Sequence, residues 1–308
     1  LDADKFYKFA SFYKNYSMKV CGFTFIRNAE KYGYPVVEAI QSILPLCDEV
    51  YVAVGKSDDN TLTLIKNIHP EKVKIIETIW DDSLKEGGRV LAVETDKAFQ
   101  SIPIDYDWAV YIQGDEVIHE KYLPAISDAM LKWKDDKRVD GLLFKYLHFY
   151  GSYDYIGSSE KWYPNEIRVV RNDKSIYSFR DAQGFRKKEN KILRVKPVEA
   201  YIYHYGWVKE PKKQLTKIEN FIKLYSDNQQ PETIKESPEE FDYSGIDSLA
   251  IFNGTHPEVM KPLIEKKNWI FEHDLSKNRV TIKNRLKRIV KWLFGYEIGY
   301  KNYRIIKN

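Results

Sequence analysis

Only two cysteines occur in 308 residues, and that scarcity sets the first limit on what the chain can be. Cys21 and Cys47 lie in separate apolar segments without metal-ligand spacing, which excludes a disulfide framework and a cysteine-built zinc site. They read as small core residues in a reducing compartment. Also lacking is any run of about 18 apolar residues, the length a membrane-crossing helix requires. The first residues do not follow the charged-then-apolar order of a secretion signal, so the expected location is cytoplasmic. Net positive charge is lacking except at one end. The net charge is +4, yet Leu275 to Asn308 holds ten Lys and Arg against one Glu, leaving 39 basic and 44 acidic residues before it. An acidic folded body argues against a nucleic-acid partner, which would need basic residues spread over the domain among aromatics.

What the chain has is enough apolar material for a sizeable core, 43% of residues with 15% aromatic. The apolar runs Val20 to Ile26, Val50 to Val54, the VKIIETIW segment and Trp108 to Ile112 read as strands. Between them, Val36, Val37, Ile40, Ile43 and Leu44, then Leu62, Leu64, Ile65 and Ile68, then Arg89 to Phe99, have helical spacing. Such alternation predicts an α/β fold with a mostly parallel, Rossmann-like central sheet and helices on both faces. Further on, YLPAISDAMLKW and KQLTKIENFIKLYS read as helices, and DGLLFKYLHFYG and KILRVKPVEAYIYHYGWV as strands.

The stretch YDWAVYIQGDEVIHE, Tyr106 to Glu120, organises the rest. A buried strand that stops at Gln113-Gly114-Asp115-Glu116 places acids at the carboxyl edge of the sheet, where open α/β folds bind ligands. On these residues alone, Gly114-Asp115 either caps a turn or serves a ligand. His204, set among aromatics in IYHYGW, is either a packing residue or a ligand. His119 reads as a helix-start residue and His148 as core or cavity wall.

The order of motifs resembles the family 2 glycosyltransferases of GT-A fold, in particular the bacterial branch of lipopolysaccharide-core glucosyltransferases. FIRNAEKY, GKSDDNT, the Trp80 to Phe99 segment, DWAVYIQGDEV, WYPNEIRVVRND and IYHYGW carry the resemblance, from about Met18 to Tyr225. It implies a GT-A domain over 18–226; the residues outside it read as an extension, 1–17, and a helical region, 227–308, in which HPEVMKPLIEKKNW suggests a helix before the basic tail. It also implies an inverting enzyme that moves a sugar from a nucleotide-diphosphate donor to a hydroxyl of a cell-surface glycan or lipid-linked acceptor. The fourth strand of that family ends in a D-x-D-type motif for Mg²⁺ or Mn²⁺. Here Gln113 replaces the first acid, so the metal role falls to Asp115, with Glu116 and His204 beside it. Arg27, Asn28, Asp59, Arg89, Asp96, Gln113 and Gly114 take the nucleotide-sugar positions, although Val54-Gly55 stands where the family has an acid after its second strand. Asp181 is the first candidate for the general base and Glu166 the second, with salt bridges to nearby arginines as the structural alternative for both. Trp162, Tyr163, Tyr205 and Trp207 are the acceptor platform, since aromatic faces stack on sugars.

The missing acid at 113 keeps one alternative open, a non-catalytic nucleotide-sugar or glycan-binding scaffold of the same fold. A sugar nucleotidyltransferase is disfavoured, because FIRNAEKY lacks the glycine-rich triphosphate loop such enzymes carry. In the tail, Ile282, Leu286, Ile289, Val290 and Leu293 form one stripe among Lys and Arg. A helix over 278–294 would either lie on an anionic membrane surface, holding the protein at the inner face of the plasma membrane, or pack on the domain.

Overall fold

The computed structural model describes residues 18–225, 239–279 and 301–307. Its first half alternates strand and helix: β1 (Val20–Ile26), α1 (Val36–Ile43), β2 (Glu49–Gly55), α2 (Thr61–Lys66), β3 (Val73–Thr78), α3 (Arg89–Gln100) and β4 (Trp108–Tyr111). The four strands lie in the order β3-β2-β1-β4, all parallel. Successive side chains on β1 divide between two cores. Cys21 and Phe23 pack with Val90, Ala98 and Phe99 of α3, whereas Val20 and Ile26 pack with Val36, Ala39 and Ile40 of α1. Gly22 lets α1 and β2 close on the sheet, because a Cβ there would lie 2.8 Å from Ile43 Cδ1 and 2.9 Å from Val50 Cγ2. Helices therefore cover both faces.

The second half adds β5 (Glu116–Ile118), α4 (Leu123–Trp133), β6 (Gly141–Tyr150), β7 (Tyr155–Gly157), β8 (Asn165–Arg171), β9 (Ile176–Phe179), β10 (Gly184–Lys187), β11 (Lys191–Trp207) and α5 (Pro211–Tyr225). Here the sheet becomes mixed. β8 inserts antiparallel between β4 and β6, and β11 then runs parallel to β6. β5 pairs antiparallel with β11 and sets Glu116 opposite His204, which joins the acidic turn to the late histidine. The α/β class and the parallel run of β1 to β4 agree with the alternation of the sequence. The reversal at β8 was not anticipated.

Among the described residues beyond 238 the expected helical region is mostly non-helical. Strand β12 (Leu249–Ile251) pairs with β7, and β13 (Tyr303–Ile305) extends the sheet beside β11. Among the described residues there, the one α-helix is α6 (Lys261–Glu265). Pro262 stands in its first turn, where the missing N–H is tolerated, and the helix ends at Lys266. Residues 280–294 of the basic amphipathic segment lie outside the described residues. No helix among the described residues is long and apolar enough to cross a membrane.

Candidate functional site

At the carboxyl edge of β1 and β4 the chain leaves a cavity of about 350 Å³. Of the residues singled out from the sequence, Arg27, Gln113, Gly114, Asp115, Tyr163, Asp181, His204 and Trp207 line it. Gly114 is required where the turn passes β1, since a Cβ would come within 2.9 Å of Ile26 Cδ1.

Asp115 and Glu116 are neighbours in sequence with opposite fates. Glu116 is fully buried and both its oxygens are occupied. Arg168 donates through Nη2 to Oε1 (2.7 Å) and through Nε to Oε2 (2.8 Å), Tyr146 donates to Oε1 (2.7 Å), and the Gln113 backbone N–H donates to Oε2 (3.1 Å). A carboxylate so satisfied has no lone pair to offer a metal. The metal role expected for Glu116 is therefore replaced by a structural one, fixing the turn to β8.

Asp115 points the other way, into the cavity. Its Oδ2 lies 3.8 Å from His204 Nε2 and accepts a hydrogen bond of 3.1 Å from Lys217 Nζ. Burial would raise its pKa, but the neighbouring Lys217 ammonium holds it well below the usual carboxylate range. The histidine's protonation follows from its neighbours. His148 Nε2 lies 2.8 Å from the Tyr163 carbonyl, which can only accept, so His148 carries its proton there. Its Nδ1 is then the acceptor for His204 Nδ1–H at 3.1 Å. His204 is left with a bare lone pair on Nε2, turned toward a carboxylate. Burial lowers the pKa of both rings, that of His148 to about 3, which keeps them neutral. Two acceptors facing one another call for a cation between them. Gly206 leaves the room, since a Cβ at that position would lie 2.6 Å from His204 Nε2 and 2.8 Å from Asp115 Oδ2. Among the described residues no three His, Cys, Asp or Glu side chains form a metal group, so a cation held by this pair would need further ligands from a bound molecule.

Asp181 sits in the connection between β9 and β10, flanked by Arg180 (φ 59°) and Ala182 (φ 63°), both in the left-handed region that costs a non-glycine residue. Gln113 holds this connection by donating from Nε2 to the Ala182 carbonyl at 3.1 Å. An acid at 113 could not make that bond. Asp96 supports the same hairpin from behind, accepting from the Ser178 N–H at 2.7 Å, and burial raises its pKa to about 6. Glu166 lies on β8 outside the cavity lining. Burial raises it to about 8 against the pull of Arg168, and its Oε2 has no hydrogen-bond partner.

At the other end, the Arg27 guanidinium lies 4.1 Å over the Trp80 ring and forms a forked pair with Asp82 (2.9 and 3.2 Å). Gly55 at the end of β2 makes this packing possible, for a Cβ would be 2.3 Å from Trp80 Nε1. That accounts for the glycine where an acid was expected. Asn28 and Asp59 instead tie the loops after β1 and β2 together. Asn28 accepts from the Asp58 N–H at 2.8 Å, and Asp59 accepts from the Lys31 N–H at 2.8 Å and from the Thr61 hydroxyl. Arg89 is exposed at the start of α3, away from the cavity lining.

The aromatic group divides as well. Tyr163 and Trp207 line the cavity. Trp162 is stacked on His148 (5.0 Å), and Tyr205 is buried on Phe149 (4.7 Å) with its hydroxyl on His256 Nδ1 (2.8 Å). Sequence reading missed Trp80, Gln183, Lys217 and Asn220. Trp80 had a signal in its place in a quoted motif and Gln183 in standing two residues after Asp181; the α5 residues lie far along the chain from the turn they face.

No protein-family model matches the sequence, and no curated protein does. Among solved structures the chain is similar to S. aureus TarS, at 16% identity over 69% of this chain and 41% of that one, with a TM-score of 0.42. Residues 1–349 of TarS give 16% identity over 69% and 67%, with a TM-score of 0.39. Glucosyl-3-phosphoglycerate synthase from Mycobacterium tuberculosis, in complex with Mn²⁺, uridine diphosphate and phosphoglyceric acid, gives 16% over 46% and 47%, with a TM-score of 0.30. The chain thus spans less than half of the first of these TarS chains.

Proposed function

We propose that the protein is an inverting glycosyltransferase of the family 2 type, moving a sugar from a nucleotide-diphosphate donor to a hydroxyl of a glycan or lipid-linked glycan. The observation that carries this reading is the Asp115 carboxylate facing the bare Nε2 of His204 across the space Gly206 leaves, at the sheet edge, with Asp181 on the same cavity. Arg27 and Trp80 would form the floor for the base and Asp115 with His204 the seat of Mg²⁺ or Mn²⁺. A divalent cation held there would neutralise the charge that develops on the departing nucleoside diphosphate. Asp181 would take the proton of the acceptor hydroxyl as its oxygen attacks the anomeric carbon. The bond to the diphosphate oxygen breaks in the same displacement, so configuration inverts once and no covalent intermediate forms. Tyr163 and Trp207 would receive the acceptor ring.

In this reading Gln113 is no sign of a dead site, because its amide is committed to the Asp181 connection. Residues 18–226 would form the catalytic unit. The basic segment 278–294 would bring it to an anionic membrane surface on the cytoplasmic side, where a lipid-linked acceptor is within reach. Calorimetric titration with UDP, GDP and dTDP, each with and without Mn²⁺, tests the donor site. Metal-dependent binding of one of them is expected; folded protein that binds none would overturn the proposal.

A further inference from the structure

Lys217 is one of the cavity residues that the sequence did not single out, and it alone of them bonds to Asp115 through its side chain. It stands on α5, whose Lys217, Asn220, Phe221 and Leu224 recur at helical spacing and present one face to the cavity. Its ammonium donates to Asp115 Oδ2 at 3.1 Å and to the Gly206 carbonyl at 2.9 Å, and it lies 5.0 Å from the centre of the Tyr34 ring. The side chains of Lys217 and Asp115 are each 12% exposed. This is a placed contact, not a solvated surface pair.

Two features make it more than a structural ion pair. First, the ammonium sits on the same carboxylate oxygen that faces His204 Nε2. A divalent cation would lie at about 2.1 Å from that oxygen, and two cations so close on one oxygen repel each other strongly in a buried site. Second, the contact has a buried basic neighbour: Lys209, 3% exposed, lies 4.7 Å from the same Tyr34 ring and donates to the Gly33 carbonyl at 2.7 Å. A metal ion on Asp115 would add two positive charges beside Lys217, which the anionic oxygens of a diphosphate offset.

We propose that Lys217 is a resident counter-cation that keeps bare metal ions off Asp115 and passes its ammonium to the diphosphate when a metal and a nucleoside diphosphate arrive together. The metal and the nucleotide then bind as one unit, and the bare ion binds poorly. The diphosphate half rests on the transferase reading above; the exclusion of bare metal rests on the Lys217 contact alone.

The test uses the full chain, with Mn²⁺ binding followed by electron paramagnetic resonance and nucleotide binding by calorimetry. In K217M, bare Mn²⁺ is expected to bind more tightly, on the order of tenfold, and UDP, GDP or dTDP in the presence of saturating Mn²⁺ more weakly by a similar factor. Opposite changes in the two affinities are what a merely structural role would not produce. K217R, which keeps the charge, is expected to retain weak bare-metal binding and guards against a folding defect in the methionine variant. Bare Mn²⁺ binding that is unchanged or weaker in K217M would overturn the proposal. Should the wild-type chain bind none of the three nucleotides, the transferase reading fails, while the Mn²⁺ comparison still decides the role of Lys217.

Discussion

Replacing Glu166 by glutamine is expected to remove a pH dependence from the stability of the fold. The carboxyl is 4% exposed, its Oε2 is unpaired, and burial raises its pKa from 4.5 to about 8 despite Arg168. Below pH 4.5 the folded and unfolded chains both hold the proton. Between 4.5 and about 8 the unfolded chain releases it and the folded chain does not, so stability falls as pH rises; above about 8 both have lost it and the dependence ends. At about 1.4 kcal/mol per pH unit, the interval from pH 5 to pH 8 amounts to about 4 kcal/mol at most. Urea denaturation of wild type and E166Q at half-unit steps over that range measures the difference directly. The wild-type midpoint should fall relative to that of the variant as pH rises, and the two should run parallel below pH 4.5. Parallel curves throughout would show that Glu166 is ionised in the fold, and would restore it as a candidate base beside Asp181.

Three further substitutions probe the site from different sides. G206A places a methyl group between His204 and Asp115 and should abolish Mn²⁺-dependent nucleotide binding, measured by calorimetry, at a stability cost of no more than about 1–3 kcal/mol. R168M takes the guanidinium from Glu116 in the core and leaves it the Tyr146 and Gln113 bonds alone, and chemical denaturation should record a loss of about 3–5 kcal/mol. Q113E removes the N–H that holds the Ala182 carbonyl and frees the Asp181 connection. Turnover of the donor, followed by nucleoside diphosphate release, should fall at least about tenfold, as expected for a general base out of place, with nucleotide affinity little changed. A fall in affinity alone would point to a donor-binding role for Gln113.

The parts legible in the sequence are those with local causes. β1 and β4 appear as apolar runs ended by Arg27-Asn28 and Gln113-Gly114, and α3 and α5 follow from helical spacing, because period and turn chemistry act over a few residues. The acidic turn was recognisable at the end of β4 for the same reason. Its division of labour was not. Successive side chains entering β5 point to opposite sides, so Asp115 reaches the cavity and Glu116 the core, and which is which depends on Arg168 across the sheet. The His148–His204 relay and the Lys217 contact join residues 56 and 102 positions apart, and pairing between elements sets them. Asn28, Asp59 and Asp96 are polar residues at strand ends or helix faces whose partners are backbone N–H groups, and a sequence does not distinguish such a support from a ligand. The region 227–308 was expected to be helical, but β12 and β13 are short edge strands that form because β7 and β11 offer them a partner.

The central claim is that Asp115 and the bare nitrogen of His204 together hold the cation that a nucleoside diphosphate brings. Pulsed electron paramagnetic resonance of Mn²⁺ bound to the full chain, with whichever of UDP, GDP and dTDP binds most tightly, tests it directly. The account expects coupling of the metal to one imidazole nitrogen, lost in H204Q, and no bound Mn²⁺ in D115A. A bound Mn²⁺ without imidazole coupling, or nucleotide binding equally tight in D115A, would contradict it.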